Sequence, residues 1–522
     1  MRSSDTHHPE PTGSGPGDLT LTRRQLLIYG SLTGAMALFA GCSRAPEQQA
    51  IPFLEQPEQT TPGISRWYST TCGGCAAGCS AMARVLDGRP IKLEGAISPL
   101  NPNGGLCVAG HAQIRGLYDA DRFAGPRLGG EQVSWEALDQ HVSSTLNQLK
   151  NAGRPVAFLT DRISGPAMRS MIARFVAAFP NVVHHEVDPG VPAAMANAWK
   201  QATGADAVPD LRLDRARVIV GVEADFLGAW WQPVSLAARY ADARHPDRTG
   251  GMARHVQIES RHSLTGGNAD QRVVVAPSQM RAVLAQLLVR VGKAVGTNLP
   301  LASAPLCAVP DASLDAVTNQ LVAARGDAVV VCGVEDVPTQ LLAGALNSLL
   351  GSIRPDGPLD IAHPVSLPVA STAAVGNLID DATAGRLGGL IVLGHNPVHS
   401  HPRGADLAAA LGNVLLSVAL DLRETETTAA CHTVSPTPHF LECWGDGQPR
   451  NDLLTLSQPT VRPLRDCRSW AESLMRWSGD EKPDVLAVLK QYWRTNVAPV
   501  LLPAAAGSGP AADRAFDLFW RA

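Results

Sequence analysis

Apolar residues follow two alternating rhythms from Ser134 onward. Leu138, His141, Val142, Thr145, Leu146 and Leu149 recur at helical spacing, and the short run Pro155-Val-Ala-Phe-Leu159 that follows reads as a strand. The pattern continues with strands expected over 218–222, 255–258, 272–276, 328–332, 389–393 and 414–420, and with helices over 164–179, 277–294, 313–325 and 404–411. Such alternation predicts parallel, doubly wound α/β layers. Ahead of Ser134 the rhythm is different. Residues 81–94 alternate about Asp87-Gly88, with Val85, Ile91 and Leu93 apolar, which predicts a hairpin. The expected fold is therefore a small N-terminal β-rich domain followed by doubly wound parallel-sheet layers.

The N-terminal region carries a different signal. Thr22-Arg23-Arg24-Gln25-Leu26-Leu27 follows a polar segment and precedes an apolar stretch ending at Phe39, the form of a twin-arginine export signal built on Arg23 and Arg24. That stretch falls short of the ~20 residues a membrane span requires. Phe39-Ala40-Gly41-Cys42 resembles a lipobox, in which Cys42 would be acylated; a cleavable signal or an uncleaved anchor are the alternatives. Each places the protein at the periplasmic, outer face of the cytoplasmic membrane. Pro46, Pro52, Pro57 and Pro62 then mark an extended linker.

Composition narrows the function. With 522 residues, of which 45% are hydrophobic, the chain has material for roughly three domains of ~150 residues. A net charge of -4, with no net contribution from the leader, excludes nucleic acid as a partner. Cys72, Cys75, Cys79 and Cys107 form C-x2-C-x3-C-x27-C, three clustered thiols and one distant one, a set suited to a [4Fe-4S] cubane. Gly73, Gly74, Gly78, Gly104 and Gly105 are expected to let backbone amides approach the sulfurs. A four-cysteine zinc site is the alternative, although its usual form is two separated C-x2-C pairs. The twin-arginine route agrees with a protein that folds around a cofactor before export. Cys307, Cys332, Cys431, Cys443 and Cys467 lack ligand spacing and read as buried thiols, with a Cys431–Cys443 disulfide as the exception. His395, His399 and His401 read as polar residues of a loop after a strand, with a metal or haem site as the sharper alternative.

The runs Trp67-Tyr68-Ser69-Thr70-Thr71-Cys72, Asp87-Gly88-Arg89-Pro90-Ile91-Lys92-Leu93-Glu94-Gly95, Gly105-Leu106-Cys107, Leu117-Tyr118-Asp119-Ala120-Asp121-Arg122 and Leu393-Gly394-His395-Asn396-Pro397 resemble the dimethyl sulfoxide reductase family of molybdopterin enzymes. Ala224-Asp225-Phe226-Leu227-Gly228, Glu259-Ser260-Arg261 with Thr265-Gly266, and His439-Phe440-Leu441-Glu442-Cys443-Trp444-Gly445-Asp446 give a narrower resemblance. It is to the molybdopterin-oxidoreductase-like N-terminal half of the B subunit of alternative complex III, a membrane-bound quinol-oxidising assembly.

The resemblance implies a [4Fe-4S] cluster on Cys72, Cys75, Cys79 and Cys107. It also implies a ferredoxin-like iron-sulfur polypeptide and an integral quinol-binding membrane subunit as partners, the match ending near Trp520 where a ferredoxin-like half would follow. The family's molybdenum bis-pterin is brought into question by three departures. Ala109 stands where catalytic relatives carry Lys or Arg, Ala96-Ile97 replaces Asn-Pro, and no cysteine lies between Cys107 and Cys307 to ligate molybdenum. The resulting division is 1–41 leader, 42–66 linker, 67–128 cluster domain, 129–480 α/β body and 481–522 helical tail, whose aromatic end is expected to dock. The expected function is that of an iron-sulfur subunit of a membrane-associated respiratory electron-transfer complex, relaying electrons or scaffolding partners. A catalytic molybdenum bis-pterin oxidoreductase with an exit cluster, and a structural subunit holding zinc, are the rivals.

Overall fold

The computed structural model describes residues 61–521 apart from 188, 189, 191, 229, 249, 300–304, 368–371, 503–506 and 508. Arg23, Arg24 and Cys42, on which the export and lipid-anchor readings rest, lie outside the described residues.

The N-terminal β-rich region is an antiparallel sheet of β1 (Arg66–Thr71), β2 (Ser80–Leu86) and β3 (Arg89–Gly95) in that order. Asp87 (φ 47°) and Gly88 (φ 76°) form the hairpin tip in the left-handed conformation that a tight two-residue turn demands. Ala81, Ala83 and Val85 of β2 alternate inward. The helix α1 (Val108–Leu117) lies against β3, with His111 Nδ1 2.7 Å from the Leu93 carbonyl, and the Tyr118 hydroxyl just beyond it donates to the Pro90 carbonyl at 2.7 Å.

The body holds two parallel sheets. In the first, Thr433–Pro436, Leu416–Asp421, Gly389–Leu393, Val156–Thr160 and Val182–Glu186 are neighbours in that order, extended antiparallel by Arg127–Leu128 and Glu131–Gln132. The second runs Gln271–Val274, Arg254–Glu259, Val218–Val222, Ala328–Cys332. Val156–Thr160, Val218–Val222, Ala328–Cys332 and Gly389–Leu393 are buried at every position, as strands covered on both faces must be. The helix α2 (Trp135–Asn151) starts where the Ser134 hydroxyl accepts from the Ala137 amide at 3.2 Å. Its Leu138, Val142, Leu146 and Leu149 pack on Phe158, Ile391 and Val418 of the first sheet.

The second sheet is formed by chain that leaves the first after Glu186 and returns at Gly389. Each sheet consequently has a point where strand addition reverses direction. In the first it lies between Val156–Thr160 and Gly389–Leu393, and in the second between Val218–Val222 and Ala328–Cys332; ligands of doubly wound sheets bind beyond the C-terminal ends at such points.

The expected strands at 218–222, 328–332 and 389–393 and the helix at 404–411 are found at those bounds, while 272–276 forms Gln271–Val274 and 414–420 forms Leu416–Asp421. Val182–Glu186, Thr433–Pro436 and the hairpin Gly445–Arg450/Leu453–Ser457 emerge only in the structure, because their polar residues mask strand periodicity. His184, for instance, sits in a strand through a 2.9 Å contact of its Nε2 with the Thr160 hydroxyl. The tail docks on the second of these hairpin strands: Trp493, Val497 and Phe516 pack with Trp444, Leu454 and Leu456, and Trp493 Nε1 donates to Asp446 Oδ2 at 3.0 Å. Among the described residues no helix is long and apolar enough to cross a membrane.

Candidate functional site

The chain between β1 and β2 doubles back so that the Cys72 amide donates to the Cys79 carbonyl at 2.8 Å, pinning both ends of the first cysteine loop at the sheet edge. Cys72 is buried, Cys79 half-buried and Cys75 exposed at the turn. Cys107 comes from a second loop, where it caps α1. Its Sγ accepts from the Gly110 amide at 3.3 Å at the N-terminal end of the helix. Close backbone contact closes the second loop, since a Cβ on Gly95 at its start would overlap the Gly105 carbonyl, and the Ala96 amide ties it to the end of the first loop by donating to the Ser80 carbonyl at 2.9 Å. Buried Asn101 fixes the approach to Cys107, its Nδ2 donating to the Gly105 carbonyl at 2.5 Å and its Oδ1 accepting the Gly105 amide at 3.0 Å.

The glycines of the first loop serve packing as well as sulfur. Gly73 lies too close to the Phe440 ring to admit a Cβ, Gly74 lies against the Gln113 side chain, and Gly78 takes a positive φ of 56°. The Gly74 amide also bonds the Cys72 sulfur. Burial pushes the Cys79 thiol up to about 12, and the charges of Cys75, Cys72 and Cys107 push the same way. Burial raises Cys72 too, the Gly74 amide offsets part of that, and Cys75 and Cys107 add to it. Thiols sharing one field in this way release protons when a cationic centre binds them. Among the described residues no group of three or more His, Cys, Asp or Glu is arranged to hold a single metal ion. A tetrahedral zinc site would need its sulfurs about 3.8 Å apart.

The remaining candidates do not converge. His395 Nδ1 pairs with Asp161 at 2.7 Å, His399 with Glu426 at 3.2 Å, and His401 Nδ1 accepts the Arg403 amide at 3.1 Å. Cys431 and Cys443 are unbridged thiols, each pushed up to about 12 by burial, so the possible disulfide between them is not formed. A residue pair that the cysteine pattern could not reveal joins the N-terminal region to the body: the buried Arg122 guanidinium meets both Glu442 carboxylate oxygens, at 3.0 and 2.5 Å.

No family model matches the chain. It is 25% identical over 465 residues to the menaquinone reductase, molybdopterin-binding-like subunit, of Nitratidesulfovibrio vulgaris, across 80% of this chain and 65% of that one. It is 23% identical over 381 residues to the thiosulfate reductase molybdopterin-containing subunit of Salmonella typhimurium, across 65% of this chain and 48% of the relative. The matches thus span about half to two thirds of those relatives. Its fold resembles that of acetylene hydratase from Pelobacter acetylenicus with a TM-score of 0.61 at 14% identity, covering 79% of this chain and 69% of that one. In sequence the chain is thus similar to subunits of molybdopterin oxidoreductases, and its fold is shared with acetylene hydratase.

This similarity raises the question of whether a pterin dinucleotide fits. A diphosphate at the C-terminal ends of the strands needs backbone donors that point outward. In the second sheet those donors meet the chain's own carboxylates. Glu335 accepts the Ala194 amide at 3.0 Å where the helix Ala193–Thr203 begins. Glu223 accepts that of Ser260 at 2.7 Å, Asp225 that of Thr265 at 3.1 Å, and Glu259 that of Ser263 at 3.3 Å. In the first sheet Glu186 accepts the Ile163 amide at 2.5 Å. The crevice of the second sheet is also closed by backbone, since a Cβ on Gly333 would overlap the Glu223 carbonyl. Anionic side chains and filled space do not fit a diphosphate, whereas the four thiols with their sulfur-directed amides fit a cluster.

Proposed function

We propose that this chain is an iron-sulfur subunit of a membrane-associated respiratory electron-transfer complex and holds a [4Fe-4S] cluster on Cys72, Cys75, Cys79 and Cys107. In this reading Arg23 and Arg24 direct export, Cys42 carries the lipid tether, and the folded body lies at the periplasmic face of the membrane. The bound cluster supplies one-electron transfer. The chain's own residues hold the thiolates, exclude solvent from Cys72 and Cys79, and leave Cys75 at the surface where a partner can approach.

One observation carries the reading: a loop closed on itself at Gly95 and Asn101 and tied to the first by the Ala96–Ser80 backbone bond brings Cys107 to the other three thiols, with amides directed at the Cys72 and Cys107 sulfurs, while the dinucleotide donors of the body are taken by carboxylates. The menaquinone reductase relative, itself named as a subunit, supports a multisubunit setting. The partners that fit are a ferredoxin-like iron-sulfur polypeptide and an integral quinol-binding membrane protein, as in the alternative complex III arrangement.

Anaerobic purification of the exported protein with metal and pterin quantification tests this. About four iron atoms per chain without molybdenum are expected, and Cys75→Ser should abolish or degrade the cluster EPR signal. Stoichiometric molybdenum and pterin would move the assignment to a catalytic oxidoreductase, and zinc in place of iron would leave a structural subunit.

A further inference from the structure

The helix Pro233–Ala243 begins beside the first cysteine loop. Its first residues Gln232, Val234 and Ser235 line a small cavity together with Gly78, Cys79 and Asn101. Gln232 is 3% exposed and Ser235 6% exposed. Both amide atoms of Gln232 and the hydroxyl of Ser235 lack a hydrogen-bond partner. Gln232 occupies the N-cap position without capping its helix, and the first turn contains no acidic residue. The cavity has a volume of only about 10 Å³, at the limit for one water molecule.

A buried amide nitrogen and hydroxyl left unpaired carry a substantial desolvation cost, so the presence of Gln232 Nε2 and the Ser235 hydroxyl calls for an acceptor beside them. We infer that Gln232 and Ser235 donate hydrogen bonds to the sulfur of the cluster at its Cys79 corner and so raise its reduction potential. The inference rests on the cluster assignment above and deepens it. The physical basis is charge: reduction adds one electron to the cluster, and donors aimed at sulfur, with the positive end of the 233–243 helix behind them, stabilise the more negative state. Ser235 lies three residues after Gln232 at the start of one helix, so both groups reach the same cavity. Their part is positioning and tuning, since the thiolates alone bind iron.

The test is an EPR-monitored redox titration of the full-length, anaerobically purified protein and of its Gln232→Leu, Gln232→Glu and Ser235→Ala variants. Gln232→Leu should make the oxidised form about tenfold more favoured at a given potential, a fall of ~59 mV for a one-electron couple. Gln232→Glu should lower it further by adding negative charge, and Ser235→Ala should lower it less. If Gln232→Leu does not fold, Ser235→Ala decides: a lowered potential with full iron content supports the assignment, and an unchanged or raised one overturns it. Wild-type protein without iron would remove the cluster reading itself, whereas intact clusters of equal potential in all variants overturn this inference alone.

Discussion

Replacing Glu442 by Gln should destabilise the protein more than most single substitutions. The side chains of Arg122 and Glu442 are 1% and 0% exposed, so the guanidinium has no route to water. Glu442 accepts two bonds from Arg122, one from the His439 amide at 2.7 Å and one from the Leu464 amide at 2.8 Å, while Arg122 also donates to the Leu117 carbonyl at 2.8 Å. In the Glu442→Gln variant an amide nitrogen takes the place of one carboxylate oxygen and faces other donors, and the buried positive charge loses its counter-ion. Removing one partner of a buried pair costs ~3–5 kcal/mol. Replacing both partners, with Arg122→Met and Glu442→Leu, relieves the stranded charge. The His439 and Leu464 amides would still be orphaned at ~1–3 kcal/mol each, so the double variant should recover only in part. Urea unfolding followed by tryptophan fluorescence measures these differences. Because Leu117 ends the helix that Cys107 begins, iron content should fall with stability in the single variant. A Glu442→Gln protein within ~1 kcal/mol of wild type would refute the claim that this pair fastens the N-terminal region to the body.

Two further outcomes are expected. Gly95→Ala should force the 104–105 backbone away from the end of β3 and lower iron content, while far-ultraviolet circular dichroism of the body stays unchanged; full iron loading would show that the loop contact is dispensable. Acid should weaken the fold through His255, which is fully buried with Nδ1 3.0 Å from the Tyr240 hydroxyl and is pulled down to about 4 chiefly by burial. The unfolded chain takes up this proton near pH 6.5 and the native one refuses it until about 4, so stability falls as pH falls through that window, by at most ~1.4 kcal/mol per unit, and levels off below it. His255→Gln should lose less stability between pH 7 and pH 5 than wild type, and an identical slope would exclude His255 as a source of the effect.

The sequence by itself determined much of the local structure. The stripe from Leu138 to Leu149 made a helix, Asp87-Gly88 made a hairpin tip, and the apolar runs at 218–222, 328–332 and 389–393 made strands, because periodicity and turn preference follow from the backbone geometry of neighbouring residues. The spacing of Cys72, Cys75, Cys79 and Cys107 likewise suggested a cysteine cluster without any fold, and it is on this spacing that the proposed ligand set rests. Strand order was decided only in three dimensions. Val156–Thr160 pairs with Gly389–Leu393 across the whole inserted second sheet, and nothing in an all-apolar strand states which equally apolar strand will lie beside it. Parallel pairing is set by crossover handedness and by burial on both faces, which are properties of the assembled layers. The same holds for Glu335 closing the Ala194 amide, Arg122 meeting Glu442, and Gln232 arriving beside Cys79. Those juxtapositions depend on distant segments packing together, so the cysteine pattern was legible in the chain while the surroundings that would tune and exclude cofactors were not.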